Sequence, residues 1–426
     1  MSNQLPDDWE YKSLSELSSL ITKGATPSSY GFQYVSKPEQ GGVKFIRGNN
    51  ATISGKFNSK DIKYICNDAH QYLKRSQLKN GDVIISIVGS IGTSLFVDDN
   101  VIPANINQNV ALIRPNQIID NRFLLQVITS PIIQKLVALE ATTQAQPSLS
   151  LKQIGDFVSP VPPLPEQQKI AAILTSVDDV IEKTQAQINK LKDLKTGMMQ
   201  ELLTRGVGVD GKPHTEFKDS PVGRIPKGWD VVNVGSLVEV IDPQPDHRTP
   251  PEVENGIPYV GLGDIDKSGV INFSSARKVS EVAFDKQCRS FDIHKGAFIF
   301  GKIGTIGNPS ILPNNRFYCL SANVILITCS DIDLLMFIYQ IFTSELINEQ
   351  VKQQTNTTSQ PALGIKKVRD FLVPYPSKEE MRALVNTLIS IDQRIAKLDL
   401  KFAKYKLNKK ALMQDLLTGK VRVNVD

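Results

Sequence analysis

The chain has 426 residues, 41% of them hydrophobic and 22% charged, with a formal net charge of +5; it is long enough to fill two cores with length over for connectors, and its mild basic excess permits nucleic-acid binding without demonstrating it. Four cysteines with no CxxC spacing and four scattered histidines argue against zinc and against a disulfide framework. No stretch approaches the ~20 apolar residues of a membrane span, and the first residues lack the basic and apolar regions of a secretory leader, so a cytoplasmic, non-membrane protein is expected.

Residues 1–160 read as a first α+β domain. Trp9 follows Leu5-Pro6-Asp7-Asp8, and Leu14, Leu17, Leu20 and Ile21 keep a short helical spacing. Pro6-Asp7 with Glu10-Tyr11-Lys12 has the residue types of a nuclease site, but crowded into one terminal turn these residues read as a helix start. Lys44-Phe45-Ile46 is strand-like and runs into the polar turn Arg47-Gly48-Asn49-Asn50. Residues 82–88 are apolar almost throughout, as in a buried strand, and are closed by Gly89-Ser90-Ile91-Gly92. After the strand 110–113, the spacing of Leu124, Leu125, Ile128, Ile132, Leu136 and Leu139 predicts a helix over 122–139.

A helical spacer is expected over 161–205. From 166 to 204 the apolar positions Ile170, Leu174, Val177, Ile181, Ile188, Leu191, Leu194, Met198 and Leu202 step by three or four, with Thr184 filling one seat. This is a heptad seam on a helix of ~58 Å at ~1.5 Å per residue. Pro162-Pro163-Leu164-Pro165 stops the strand ahead of it, and Arg205-Gly206-Val207-Gly208 marks its end. Residues 206–228, rich in Gly and Pro, form a linker. A second domain follows over 229–375, with Trp229 in the role of Trp9. A second spacer over 376–426 has its seam at Leu384, Leu388, Ile391, Ile395, Leu398, Phe402, Tyr405, Leu412 and Leu416, interrupted by Lys409.

The second half is a copy of the first. Val88-Gly89-Ser90-Ile91-Gly92 recurs as Ile303-Gly304-Thr305-Ile306-Gly307, Gln146-Pro147-Ser148-Leu149 as Gln360-Pro361-Ala362-Leu363, and Met199-Gln200-Glu201-Leu202-Leu203-Thr204 as Met413-Gln414-Asp415-Leu416-Leu417-Thr418. A nearly constant offset over so long a stretch implies two equivalent halves with pseudo-two-fold symmetry, and each apolar stripe needs a partner, which an antiparallel pairing of the two spacers supplies. The expected fold is therefore α+β: two tandem repeat-related domains joined by an antiparallel coiled coil. B-form DNA offers a matching dyad, and a rod of this length could hold two domains over sites one to one and a half helical turns apart.

Catalytic machinery is not evident. There is no Asn/Asp-Pro-Pro-aromatic tetrapeptide for a flipped adenine and no GxxxxGK[ST] phosphate loop, and Gly261-Leu262-Gly263 is followed by Asp266 where a GxGxxG motif requires glycine. Neither catalytic residues nor a metal or cofactor are expected.

Residues 161–170, Val-Pro-Pro-Leu-Pro-Glu-Gln-Gln-Lys-Ile, leading into a coil that ends Met199-Gln200-Glu201-Leu202-Leu203-Thr204, resemble the central region of the specificity subunits of type I restriction-modification systems, and residues 376–418 resemble the distal one. The second copy departs from the pattern, since Ser377-Lys378-Glu379-Glu380-Met381-Arg382 lacks the proline pair and the Glu-Gln-Gln run. The resemblance implies a non-catalytic subunit in which two target-recognition domains each read half of a split double-stranded DNA sequence. The coils of that family fix the gap and dock two methyltransferase subunits, with restriction and translocase subunits joining the full complex. A coiled-coil scaffold for protein partners, without base readout, is the other reading of the same seam.

Base edges are read by Arg, Asn, Gln and Lys, and phosphates by Lys, Arg, hydroxyls and loop amides. The DNA-binding candidates are thus Arg47, Asn49, Asn50 and Lys56 near the first polar turn, Ser90 and Thr93 at the first glycine turn, and Lys302, Thr305 and Asn308 around the second. Arg47, Asn49 and Asn50 match Gly261, Gly263 and Asp264, a change of the kind that two different half-sites require. Asn109 with Asn323, and Thr143 with Thr357, are repeated and so suit backbone contact, turn closure or partner docking.

Overall fold

A computed structural model describes residues 5–36, 41–141, 147–208, 211–244, 248–265, 270–314, 317–355 and 362–425. The chain forms two compact units, residues 1–186 with 399–426, and residues 187–398. The first unit contains an antiparallel sheet in the order Ser18–Lys23, Val110–Pro115, Val83–Ser86, Ser94–Phe96. A second sheet runs Tyr34–Val35, Lys63–Ile65, Val43–Ile46, Ala104–Ile106, its last pair parallel. The strand Glu10–Ser13 pairs with Val158–Val161.

The second unit repeats this topology. Its sheet runs Glu239–Ile241, Val324–Thr328, Phe298–Gly301, Gly307–Ile311, and Ile257–Val260 lies between Arg277–Val279 and a parallel Cys319–Leu320. The sequence offset is kept in register: Phe45 pairs with Asn105 as Tyr259 pairs with Cys319. Val83–Ser86 and Phe298–Gly301 are buried throughout, which is why residues 82–88 read as apolar almost throughout.

Three expectations change. Residues 10–13 are a strand instead of a helix start, and Leu20 and Ile21 lie on the strand Ser18–Lys23, where a β ladder to residues 111–115 overrides the helical spacing. The helix expected over 122–139 is two helices, Asn121–Thr129 and Pro131–Ala141. Pro131 has no amide hydrogen for a continuing helix, and it holds Ser130 extended at ψ 149°. Asp120 caps the first of them by accepting from the amides of Arg122 and Phe123.

The long helices are Leu164–Arg205 and Lys378–Leu416. Each unit's core takes in the start of one and the end of the other. In the first unit, Ile170 and Leu174 pack with Trp9, Phe123, Met413, Leu416 and Leu417; in the second, Met199, Leu202 and Leu203 pack with Trp229, Phe300, Leu384 and Leu388. Rising residue numbers on one helix meet falling numbers on the other, so the pair is antiparallel. Lys409, the break in the second seam, donates to Asp178 at 2.8 Å, and the Gln126 side chain donates to the same carboxylate at 3.1 Å. In the second unit Lys195 and Gln340 converge on Asp392 in the same way, at 2.8 and 3.4 Å. Buried charges in an apolar seam are costly unless matched, so each trio favours one register over its neighbours.

Candidate nucleic-acid interface

In the first unit the loops gather at one end of the main sheet. The strand Val83–Ser86 ends there and turns through Gly89 and Gly92, both at positive φ. The turn after Ile46 is fastened to it: Gly48 sits where a Cβ would lie 2.5 Å from the Ser86 hydroxyl, and the Thr93 hydroxyl donates to the Gly48 carbonyl at 3.2 Å. The segment at 148–149 is laid across this turn, with the Leu149 amide donating to the Ile87 carbonyl at 3.0 Å.

The candidates separate on this frame. Asn49 and Ser90 are exposed. Arg47 donates through Nη2 to the Asp61 carboxylate at 2.8 Å, holding that acid below the usual carboxylate range. Three corrections follow for this unit. Asn50 is fully buried and closes its own turn, accepting from the Arg47 amide at 3.1 Å and donating to the carbonyls of Asn58 and Lys60, so it does not reach a base. Lys56 pairs with Glu182 on the first long helix, with Asp179 at 4.0 Å, which commits its ammonium to an acidic helix face. Thr93 spends its hydroxyl on the carbonyls of Gly48 and Ser90.

The second unit brings the corresponding loops around a polar cleft of about 500 Å³ lined by residues 261–264, Ile303, Thr305 and Asn323 among others. Asp264 does the work of Asn50, accepting from the Gly261 amide at 2.8 Å. The Leu363 amide donates to the Lys302 carbonyl at 2.9 Å, as Leu149 does to Ile87. Thr305, Asn308 and Asn323 are exposed, and Asn109 is half-buried. Lys302 is a fourth correction: it forms a largely buried ion pair with Asp242 at 2.7 Å and is an internal strut. Thr143 and Thr357 lie outside the described residues.

Sequence reasoning missed the anchor beneath each unit. The Trp9 indole donates to the buried Glu166 at 3.1 Å, and the Trp229 indole to the buried Glu380 at 2.9 Å. Burial pushes Glu380 up, but donation from Trp229, His214 and the Gly208 and Val207 amides outweighs it and holds the carboxyl below its ordinary value. The two-fold recurrence of Trp and of Glu near each helix start was the available signal. Among the described residues no single helix is long and apolar enough to cross a membrane.

The family profile of the type I restriction modification DNA specificity domain matches residues 6–193 and 226–408. The MjaVIII type I restriction enzyme specificity subunit of Methanocaldococcus jannaschii is 26% identical over 444 residues, covering 99% of this chain and 94% of that protein. The EcoBI specificity subunit of Escherichia coli is 22% identical over 318 residues, 71% of this chain and 65% of that one. Among solved structures, the type I restriction-modification S subunit from M. genitalium superposes with a TM-score of 0.59 at 14% identity, covering 98% and 97% of the two chains. A chain from a type I system studied for complex assembly and conformational transition gives a TM-score of 0.55 at 17% identity, covering 98% of this chain and 100% of that one.

Proposed function

Because this chain belongs to the type I restriction-modification DNA specificity family, we propose that it selects a bipartite double-stranded DNA target, one half per unit, and docks two methyltransferase subunits and, through them, restriction subunits. The chain itself carries out no chemical step in this reading; bond making falls to its partners. The observation that carries it is the division between frame and display. Asn50 and Asp264 close equivalent turns and Leu149 and Leu363 brace equivalent glycine turns, whereas the side chains shown on that frame change from Arg47 and Asn49 to Gly261 and Gly263. A retained scaffold with altered donors and acceptors is what reading two different half-sites needs. Arg47, Asn49 and Ser90 face the first half-site, and Thr305 and Asn308 the second.

The test is the host methylome. A split methylated motif should vanish when this chain is deleted, and replacing residues 1–160 by the equivalent part of a relative should alter one half only. Both halves changing would overturn the one-unit, one-half assignment. Matched four-residue insertions after Thr184 and after Leu398 leave both Asp–Lys pairs in place and add roughly 6 Å of helix. They should lengthen the gap by one or two base pairs at ~3.4 Å each.

A further inference from the structure

Beside the loops of the first unit lies a cleft of about 650 Å³ between residues 22–25 and 72–76. It sits at the same end of the sheet: Lys23 is level with Ala111, and Ala111 with Ile85, just ahead of the glycine turn. The Asn107 amide links the same corner to the Ile46 carbonyl at 3.0 Å, immediately before Arg47. Lys23, Lys74 and Arg75 stand exposed on its rim, and among the described residues none of the three has an acidic partner. Three other cations of this unit are paired instead: Arg47 with Asp61, Lys56 with Glu182, and Lys44 with the Asn100 carbonyl.

The walls are stiff. Buried Asn105 donates to the Leu73 carbonyl at 3.0 Å and to the Ser76 hydroxyl at 2.8 Å, and its carbonyl faces the His70 ring. The opposite wall is pressed so close at Gly24 that a Cβ would lie 2.0 Å from the Ile106 carbonyl oxygen. Tyr72, 62% exposed, is propped by Tyr30 and Phe32, each with ring centroids at 5.4 Å. Three uncompensated cations on fixed backbone beside an exposed, buttressed ring match a sugar–phosphate chain, with charge for the phosphates and an aromatic face for the deoxyribose.

We propose that this cleft is a sequence-blind clamp in which Lys23, Lys74 and Arg75 hold phosphates of the DNA flanking the first unit's half-site and Tyr72 packs against the sugar. The proposal rests on the DNA-specificity reading above and adds to it an affinity site. In the second unit Asp242 takes the place of Lys23, one residue past the equivalent strand, and is paired with Lys302.

The test uses the full chain purified with its methyltransferase partners and two labelled duplexes, one carrying the motif methylated in the host and one scrambled, titrated from about 50 to about 300 mM KCl. Lys74→Ala with Arg75→Ala should weaken binding to both duplexes about fivefold or more and flatten the salt slope by one to two units, at ~0.9 per lost phosphate contact. The methylated motif should stay the same. Lys74→Glu with Arg75→Glu should lose more, and Tyr72→Phe should bind as wild type. Unchanged affinity and slope in the Glu variant, while wild type still separates the two duplexes, would overturn the clamp and leave the specificity reading intact. A wild type that does not separate them sinks that reading, while equal losses on both duplexes still support the clamp. An altered motif in the Ala variant would show base reading and overturn the sequence-blind assignment. Binding of millimolar dAMP that is lost in the Glu variant with duplex affinity unchanged would assign the cleft to free nucleotides and overturn it too.

Discussion

The two units solve one problem, a buried carboxylate under a tryptophan, with different partners. In the first, Arg422 clasps Glu166 through Nε and Nη2 and Asp8 through Nη1 and the same Nη2, all at 2.8 Å. In the second, Glu380 receives the amides of Val207 and Gly208 at 3.0 Å each and the His214 ring at 2.8 Å. Unit 1 thus relies on one guanidinium whose charge is permanent and whose hold on its proton its two acids strengthen, while unit 2 spreads the task over several weaker donors. What the fold requires is a saturated carboxylate at the helix start, and the identity of the donors is free to vary. The same contrast holds in the seams, where Asp178 and Lys409 are both nearly buried and Asp392 is 38% exposed.

Variants of the seam should widen that contrast most. Asp178→Ala leaves Lys409 and Gln126 buried without their acceptor and should cost about 3–4 kcal/mol, whereas Asp392→Ala, in a wetter site, should cost about half as much. The chain's two tryptophans fall one in each unit, so denaturant melts followed by fluorescence of Trp9→Phe and Trp229→Phe backgrounds measure the two separately. Equal losses would mean that burial does not set the difference. Next comes Arg422→Ala, which should lower unit 1 stability by about 2–3 kcal/mol, short of a fully buried pair because Arg422 is half exposed. His214→Ala should lower unit 2 by only about 1 kcal/mol, since three donors to Glu380 remain.

Acid probes the anchor of unit 2 directly. Glu380 is held below its ordinary value of 4.5, so the folded state favours the ionised carboxylate. Its contribution is complete above that ordinary value and drains away as pH falls through the lowered folded one. Glu380→Gln should therefore flatten the fall in unit 2 stability between about pH 5 and pH 3, read from Trp229 fluorescence. An unchanged slope would remove Glu380 from the acid response. The narrowest effects are expected at the proposed readers, in specificity instead of stability: Asn49→Ala and Thr305→Ala should each cost about 1 kcal/mol of discrimination, at one half of the motif only, in competition binding with half-site mismatches.

Much of this architecture was legible because it is periodic. The seam, the buried strands and the repeat follow from apolar spacing, and the linker from its glycines and prolines. What stayed hidden depends on contacts between residues far apart in sequence. Asn50 looks like a reader in a polar turn until its side chain is seen closing that turn, and Lys302 looks like a phosphate ligand until Asp242, 60 positions earlier, is found against it. Leu20 and Ile21 kept a helical interval yet joined a ladder whose other strand begins at Val110. The cleft of Lys23, Lys74 and Arg75 gave no local pattern at all, since its two walls meet only through Asn105 and Gly24.

The clasp at Arg422 also sets how unit 1 can come apart. In unit 2, residues 207, 208 and 214 that satisfy Glu380 belong to a segment tied covalently to a helix on one side and to Trp229 on the other, so they leave the carboxylate only by deforming a loop with both ends held. In unit 1 the cover is chiefly the single Arg422 guanidinium, which can peel from Glu166 and Asp8 by turning about its own side-chain bonds, without disturbing the sheet. Such peeling is a local opening with its own free energy, below that of global unfolding. It would bare the buried carboxylate to which the Trp9 indole donates, and because half of the guanidinium faces water, rising salt would favour it. The exchange rate of the Trp9 indole proton, set against that of Trp229, is thus a gauge of an opening that one unit permits and the other resists.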